Sequence, residues 1–418
     1  MNVLLLSWEY PPRIVGGLGT HVHKLAVNLA RQGVNIHVIT KDVMGEPDYE
    51  FTEGVHVYRV PLYPPEIPQD EWVPWTLQFN VALLERAIPI INERIGKVQV
   101  IHAHDWLVAH AGIALKHAYR IPLVATIHAT EYGRHQGHLP GPMQRIIHQV
   151  DWWLTFESSR TICCSNYMRD EVVRIFELPE DKVDVVPNGI EFEDFSGERR
   201  AGRLRKKYVE PDRHMVLFVG RLVYEKGVQT VIEAMPEVLK QVPDVRFLVT
   251  GTGPHARSLK ALAEESGLEE KVKFLGFVDT ANLIRLYKCA DLTVVPSLYE
   301  PFGMVVLEAM VAGSPVIVAD TGGLKEIVVH EETGLKFTPG CPNSLADAMI
   351  RVLTDRELAR RLTSDARAYI GERYNWSRIA QSTVEVYREA VRHYEYRPRI
   401  LRACPPLPGA GESEEEAG

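Results

Sequence analysis

The chain is 418 residues long, 45% hydrophobic and 24% charged, with a formal net charge of -8. That length exceeds one ordinary core and predicts two domains plus a tail; the composition is globular, and the acidic balance argues against a general nucleic-acid binder. Five cysteines without a C-x-x-C pair, two of them adjacent at Cys163 and Cys164, argue against a disulfide scaffold or structural zinc and fit a reducing, cytoplasmic setting.

Met1-Asn-Val-Leu-Leu-Leu6 has no basic leader and its apolar run ends at six residues, so it reads as a first buried strand rather than a signal peptide. No stretch approaches the ~20 apolar residues of a membrane span, so stable membrane insertion is not expected. Strands are predicted at Val3–Ser7, Asn35–Thr40, Val57–Val60, Val100–His104, Leu123–Ile127, Thr161–Ser165 and Val183–Val186. Helices fall between most of them, as over His21–Arg31, where Val22, Leu25, Ala26 and Leu29 make one apolar face. Continuous apolar strands separated by helices mean a parallel sheet covered on both faces.

Four features of this half fall at strand ends, where open α/β sheets bind ligands. Gly16-Gly17-Leu18-Gly19 follows the first strand, and adjacent glycines let backbone approach phosphate and adopt positive φ. It is not the G-x-G-x-x-G fingerprint, and a plain strand–helix turn is the alternative. His102 and His104 share one face of a strand end beside Asp105; a metal site is the sharp alternative there, disfavoured because no complementary Cys or H-E-x-x-H accompanies them. His128 ends another apolar strand and is expected at the rim. Pro187-Asn188-Gly189 is a turn at the domain exit.

Glu191–Arg213 is polar and aperiodic and forms the best domain boundary. Its cluster Arg199-Arg-Ala-Gly-Arg-Leu-Arg-Lys-Lys207 reads as a solvated face, with an anionic lipid or partner as the alternative. The pattern then restarts with strands at Met215–Gly220, Arg246–Gly251, Val272–Phe277, Leu292–Val295, Pro315–Ala319 and Leu335–Phe337. Arg221 and Lys226 on the loop after the first of these can neutralise a diphosphate, the Arg as a fork and the Lys as a point charge.

The most informative stretch is Ser297-Leu-Tyr-Glu300-Pro-Phe302-Gly303-Met304-Val305-Val-Leu-Glu308. Glu300 sits just past a buried strand, and the helix opening near Gly303 offers unpaired N–H groups and a positive dipole end to an anion. Glu308 lies roughly 6 Å further along, at about 1.5 Å per residue, within reach of a ribose attached to such a phosphate. A last helix over Trp376–Arg392 is placed to cross back and brace the two halves. The predicted organisation is 1–190 as a first Rossmann-like domain, 191–213 as connector, 214–373 as a second Rossmann-like domain, 374–396 as returning helix, and 397–418 as a Pro-rich, acidic, disordered tail.

Together, Gly16-Gly17-Leu18, His104-Asp105-Trp106, His128, Pro187-Asn188-Gly189, Gly220-Arg221-x4-Lys226 and Glu300-Pro-Phe-Gly with Glu308 resemble the retaining glycosyltransferases of family 4 and their glycogen-synthase relatives, over about residues 1–396. The resemblance implies the GT-B fold, two Rossmann-like parallel-sheet domains facing each other across a cleft, with 1–190 as the acceptor-binding domain and 214–373 as the nucleotide-sugar-binding domain. It also implies transfer from a nucleotide sugar with retention and without metal or other cofactor. On it, Arg221 and Lys226 hold the diphosphate with backbone N–H groups at Gly17 and Met304-Val305; Glu308 binds the ribose, Glu300 the transferred sugar, and His128 lies over the reacting centre. Asp105 orients or binds sugar, and Asn188 is a further cleft contact.

The segment Thr126–Arg134 resembles glycogen-synthase-type members, so the leading expectation is an α-1,4-glucan extended from ADP- or UDP-glucose. Six of the seven Trp (8, 72, 75, 106, 152 and 153) lie in the first half, where aromatic faces suit sugar rings. One departure is that Arg13-Ile14-Val15 stands where bacterial glycogen and starch synthases carry a phosphate-binding Lys before the Gly-Gly pair. That leaves open a small-molecule acceptor such as glucose 1-phosphate, or a glycoconjugate. A GT-B sugar-nucleotide epimerase, needing no acceptor, is the alternative from another class. The intact set of Arg221, Lys226, Glu300, Glu308 and His128 argues against a non-catalytic nucleotide-sugar binder.

Overall fold

The computed structural model describes residues 1–63, 66–196, 201–210 and 213–396. Eight strands form the first sheet: β1 (Asn2–Leu6), β2 (Asn35–Lys41), β3 (Tyr49–Thr52), β4 (Val55–Val60), β5 (Val100–His104), β6 (Leu123–Ile127), β7 (Arg160–Cys163) and β8 (Val183–Val185). Their order is β3-β4-β2-β1-β5-β6-β7-β8, with every pairing parallel except β3 with β4. The second sheet runs β11-β10-β9-β12-β13-β14, all parallel. Its members are β9 (His214–Val219), β10 (Val245–Thr250), β11 (Val272–Gly276), β12 (Leu292–Val295), β13 (Val316–Ala319) and β14 (Leu335–Phe337).

The expected two parallel sheets are therefore present, and their central strands are buried and mostly apolar because helices cover both faces, with His102 and His104 of β5 among the polar exceptions. Val3, Leu4, Leu5 and Leu6 of β1 are all buried, as are Val294 and Val295 of β12. Strand β3 was not foreseen. It pairs antiparallel with β4 across Glu53-Gly54, both at positive φ (50° and 83°), which is how a two-residue hairpin turn matches the twist of its strands. With Phe51 exposed and an edge position, β3 lacks the buried alternation that marks a strand.

Two segments join the halves. The helix Ala201–Tyr208 falls inside the polar stretch read as a connector. Its Arg205 donates to the Cys289 carbonyl and to Asp291 (2.7 Å), so this cation is a bracket to the second domain rather than a solvated charge. Arg199, Arg200 and the 397–418 tail lie outside the described residues. The helix Trp376–Tyr396 returns to the first sheet, where Trp376, Ile379 and Tyr387 pack among Val3, Leu5 and Val124. Tyr387 Oη lies 2.7 Å from His102 Nδ1 beneath β5. Among the described residues, no helix is long and apolar enough to cross a membrane.

Candidate active site

In an open parallel sheet the crevice opens where chain direction reverses, since loops leaving the two strands there diverge. In the first sheet that point lies between β1 and β5; in the second it lies between β9 and β12. The loops leaving these four strands carry Gly16-Gly17, Asp105, Arg221 with Lys226, and Glu300. Topology thus gathers motifs that are up to 284 residues apart into one place.

Two helix N-termini meet there. Gly17 is the first residue of the helix Gly17–Arg31, and Met304 the first of the helix Met304–Ala312. A Cβ built on Gly17 would stand 3.8 Å from the Met304 side chain. Neither helix has an acidic residue in its first turn, so two sets of unpaired N–H groups and two positive dipole ends point toward one space. Gly303 precedes the second helix at φ 114°, and a Cβ there would meet Leu324 at 2.6 Å. By contrast, Gly16 is extended at φ -158°, so the Gly16-Gly17 pair serves close approach and not the positive φ expected of it.

The glycine loop is held from below. Glu9, 3% exposed, accepts the N–H groups of Val15 (2.8 Å) and Gly16 (3.1 Å) on Oε2. A Cβ on Gly19 would press to 3.0 Å from that oxygen. Burial pushes the Glu9 carboxyl up, and these N–H groups draw it partly back. Sequence reasoning missed Glu9, because its partners are backbone groups six and seven residues ahead.

Across the crevice, Lys226 Nζ and Ser297 Oγ both donate to Glu300 Oε2, at 2.7 and 2.9 Å. Both side chains of the ion pair are largely buried. Arg221 stays apart with its side chain 57% exposed, 3.9 Å from Glu225, and is free to meet an anion from the solvent side. The acidic loop is also clamped by backbone: the Gly323 N–H donates to the Glu300 carbonyl (2.9 Å), and a Cβ on Gly322 would stand 2.1 Å from that oxygen. Phe302 is buried against Tyr374, so its side chain packs the core and does not face the crevice.

Glu308 is half-buried and accepts the Tyr287 hydroxyl on Oε2 at 2.8 Å. Burial pushes its pKa up to about 7, and the Tyr287 bond opposes the rise. A carboxyl raised in the folded state destabilises the fold wherever it is ionised in both states, above about pH 7, and has no such effect below its ordinary value of 4.5. Glu308→Gln is therefore expected to raise the melting temperature at pH 8 and to change it little at pH 4. An equal gain at both pH values would contradict the burial explanation.

On the first-domain side, the His128 N–H donates to Asp105 Oδ1 (2.7 Å), and its ring stacks on His104 with Nε2 3.1 Å from His104 Nδ1. Burial pushes the His128 pKa down to about 3, aided by nearby Arg134, so the ring is neutral. Burial likewise lifts Asp105 to about 6, against the pull of that N–H and of Arg134. Asp105 thus positions the His128 backbone from within the fold, with φ 61° at its own residue. His128 is half-buried rather than fully at the rim. Asn188 is buried, with its side chain beside the His21 ring. His102 cannot join a metal site with His104 and Asp105, because Tyr387 and Thr126 occupy both its nitrogens. Trp8, Trp72 and Trp75 pack edge to face on one another.

The two domains grip each other beside this space. Tyr299, 5% exposed, donates to Glu171 Oε1 (3.1 Å) and accepts the Thr130 N–H (3.3 Å). Ser165 Oγ donates to the Pro301 carbonyl (2.6 Å). Glu326 accepts the N–H groups of Asn166 (3.0 Å) and Tyr167 (2.8 Å), placing its charge on the N-terminus of the helix Asn166–Phe176. Tyr287, Tyr299 and Glu326 carried no spacing signal, since each acts across the chain.

Comparison with known proteins agrees with this architecture. The family descriptions "Glycosyltransferase Family 4" and "Glycosyl transferases group 1" match residues 15–194 and 202–369. An uncharacterised glycosyltransferase of Methanocaldococcus jannaschii is 41% identical over 94% of this chain and 99% of its own. The glycogen synthase of Mycobacterium tuberculosis is 37% identical over 96% of this chain and 98% of its own. Among solved structures, sucrose-phosphate synthase from Thermosynechococcus elongatus superposes with a TM-score of 0.78 at 27% identity, covering 93% of this chain and 98% of that one.

Proposed function

We propose that this chain, which belongs to the family 4 glycosyltransferases and has their GT-B fold, transfers glucose from ADP- or UDP-glucose to an α-1,4-glucan, with retention and without a metal. The observation that carries the donor half is the meeting of two acid-free helix N-termini beside Lys226 and Arg221. A departing diphosphate gathers negative charge, and donors already in place stabilise it without reorganising. The cations and N–H groups of this chain supply that stabilisation in place of a divalent ion.

In this reading Glu308 accepts the ribose hydroxyls and Glu300 the hydroxyls of the transferred sugar. His128, neutral and fixed through its backbone by Asp105, lies against the sugar near the reacting carbon. No enzymatic nucleophile is assigned. The acceptor attacks on the face the diphosphate leaves, and a phosphate oxygen takes its proton. Closure of the domains would exclude water from this step.

The glucan acceptor is supported by the likeness to a glycogen synthase across nearly the whole chain. A small phosphorylated acceptor is the second reading. It is favoured by Arg13-Ile14-Val15 before the glycine pair, and by the likeness to a sucrose-phosphate synthase. Release of nucleoside diphosphate, measured for ADP-, UDP- and GDP-sugars with and without glycogen, separates them. Glycogen-dependent release from ADP- or UDP-glucose, with labelled glucose entering polymer, is expected. Release stimulated by glucose 1-phosphate and not by glycogen would replace the first reading with the second. Activity is expected to survive chelator; loss restored by a divalent ion would contradict the metal-free mechanism.

The Glu308 carboxyl ties donor binding to pH. Its ionised form accepts two ribose hydroxyls, so kcat/KM for the donor should fall as pH drops through about 7. Tyr287→Phe removes the bond that holds this pKa down, so the fall should begin at higher pH. A pH profile of kcat/KM that is flat from about pH 5.5 to 8.5, or unmoved in Tyr287→Phe, would remove Glu308 from ribose recognition.

A further inference from the structure

Beneath the crevice floor, three histidines from three separate elements converge. His21 comes from the Gly17–Arg31 helix, His104 ends β5, and His128 follows β6. One ring nitrogen from each lies within 4.8 Å of the other two. His104 Nδ1 and His128 Nε2 are 3.1 Å apart. Ligands at 2.0–2.1 Å around a tetrahedral zinc are separated by about 3.3 Å, so this pair already has the span of one tetrahedral edge. His21 has its ring centroid 4.7 Å from that of His128 and 5.6 Å from that of His104.

The second observation is polar groups left without partners. His21 is 4% exposed and His104 fully buried, yet neither nitrogen of His21 has a hydrogen bond of normal geometry, although the Asn188 side chain lies beside its ring, and Nε2 of His104, the nitrogen that does not face His128, is also unpaired. Buried polar atoms are normally satisfied, and each exception asks for an explanation. Trp376 packs on His21 at 5.6 Å and helps hold its ring in place. His102, next along the strand, is by contrast satisfied at both nitrogens by Tyr387 and Thr126. Single unpaired nitrogens also occur on His37, His110 and His148 elsewhere in the fold, but among the described residues only at His21, His104 and His128 do three imidazoles converge.

We propose that His21, His104 and His128 form a site for a divalent transition ion of the zinc class, and that its occupation inhibits transfer by tying up the His128 ring nitrogen and fixing the ring away from the sugar. Three imidazoles suit zinc, copper and nickel, whereas magnesium and calcium prefer oxygen. Three protein ligands leave a fourth position open, and the half-buried edge of His128 marks the crevice as its way in. The site is inhibitory, and the metal-free mechanism stands beside it. Only the inhibitory half rests on the proposed role of His128.

The test uses the whole chain without a histidine tag. Titration with Co²⁺ should produce the visible absorption band of tetrahedral cobalt, saturating at one equivalent and displaced by Zn²⁺. His21→Leu and His104→Leu, checked for fold by circular dichroism, should each lose it. X-ray absorption of the zinc-loaded wild type should show three imidazole ligands and serves if either variant fails to fold. No band in the wild type, or a band kept by both variants, overturns the site. In the transfer assay, saturating Zn²⁺ should lower turnover at least tenfold, and His21→Leu should raise the half-inhibitory zinc concentration at least tenfold. A cobalt band without zinc inhibition overturns the inhibitory half. Absence of transfer with every donor and acceptor would overturn the proposed function, while the cobalt band still decides the site.

Discussion

Lys226→Ala is expected to lower kcat by two to three orders of magnitude while leaving the secondary structure intact. Loss of one preorganised group that meets charge developing in the transition state costs on the order of 10²–10³ in kcat. Here the same change has a second effect. Lys226 is bound to Glu300 at 2.7 Å, and the Glu300 side chain is only 13% exposed. Without the ammonium, that carboxylate stays partly buried with Ser297 as its remaining side-chain donor. A buried carboxylate that has lost its ion-pair partner is uncompensated, and the loop that presents it to the sugar hydroxyls should lose its set position. Glu300→Ala is expected to match this loss, and the double variant to be far less than the product of the two, because the pair acts as a unit. Steady-state kinetics on the three proteins, with circular dichroism as the fold check, decides it. Near-wild-type turnover in either single variant would remove that residue from the catalytic machinery.

Gly227→Ala should be almost as damaging, although Gly227 needs to touch no substrate. It sits at φ 71°, in the left-handed region that suits glycine, and a Cβ would stand 1.9 Å from the Pro296 carbonyl oxygen. Backbone cannot yield as a flexible side chain does, so the loop after β12 must move. That loop is registered to the loop after β9 by the Leu298 N–H, which donates to the Glu225 carbonyl at 2.8 Å. Pushing the two loops apart separates Lys226 from Glu300. A displacement of about 1 Å at such a site can cost on the order of 10²-fold in rate. The expected result is a folded protein with a lower melting temperature and at least a hundredfold loss of kcat. Full activity would show that the two loops are not coupled.

Much of the fold was legible because parallel α/β architecture writes itself locally. A buried central strand must be apolar on both faces, so Val3–Leu6, Leu123–Ile127 and Leu292–Val295 stand out without any knowledge of their neighbours. The edge hairpin of β3 escaped notice because its half-exposed residues carry no such run. The candidate site was legible where spacing along one loop or one helical turn carries chemistry, as from Glu300 to Glu308 or from Arg221 to Lys226.

What the sequence determined by itself, then, was the class of sheet, the succession of strands and helices, and the motifs placed at strand ends. Which side chains meet was decided only when the chain crossed over itself. Lys226 finds Glu300 across 74 residues, and His102 finds Tyr387 across 285. Glu9 beneath the glycine loop and Tyr287 behind Glu308 follow from the same crossings, as does the choice of His21 over His102 beside His104 and His128. The physical reason is that local periodicity reports which face of an element is buried. Hydrogen bonds and electrostatic pairs act over a few ångströms, and their partners are set by the packing of whole elements.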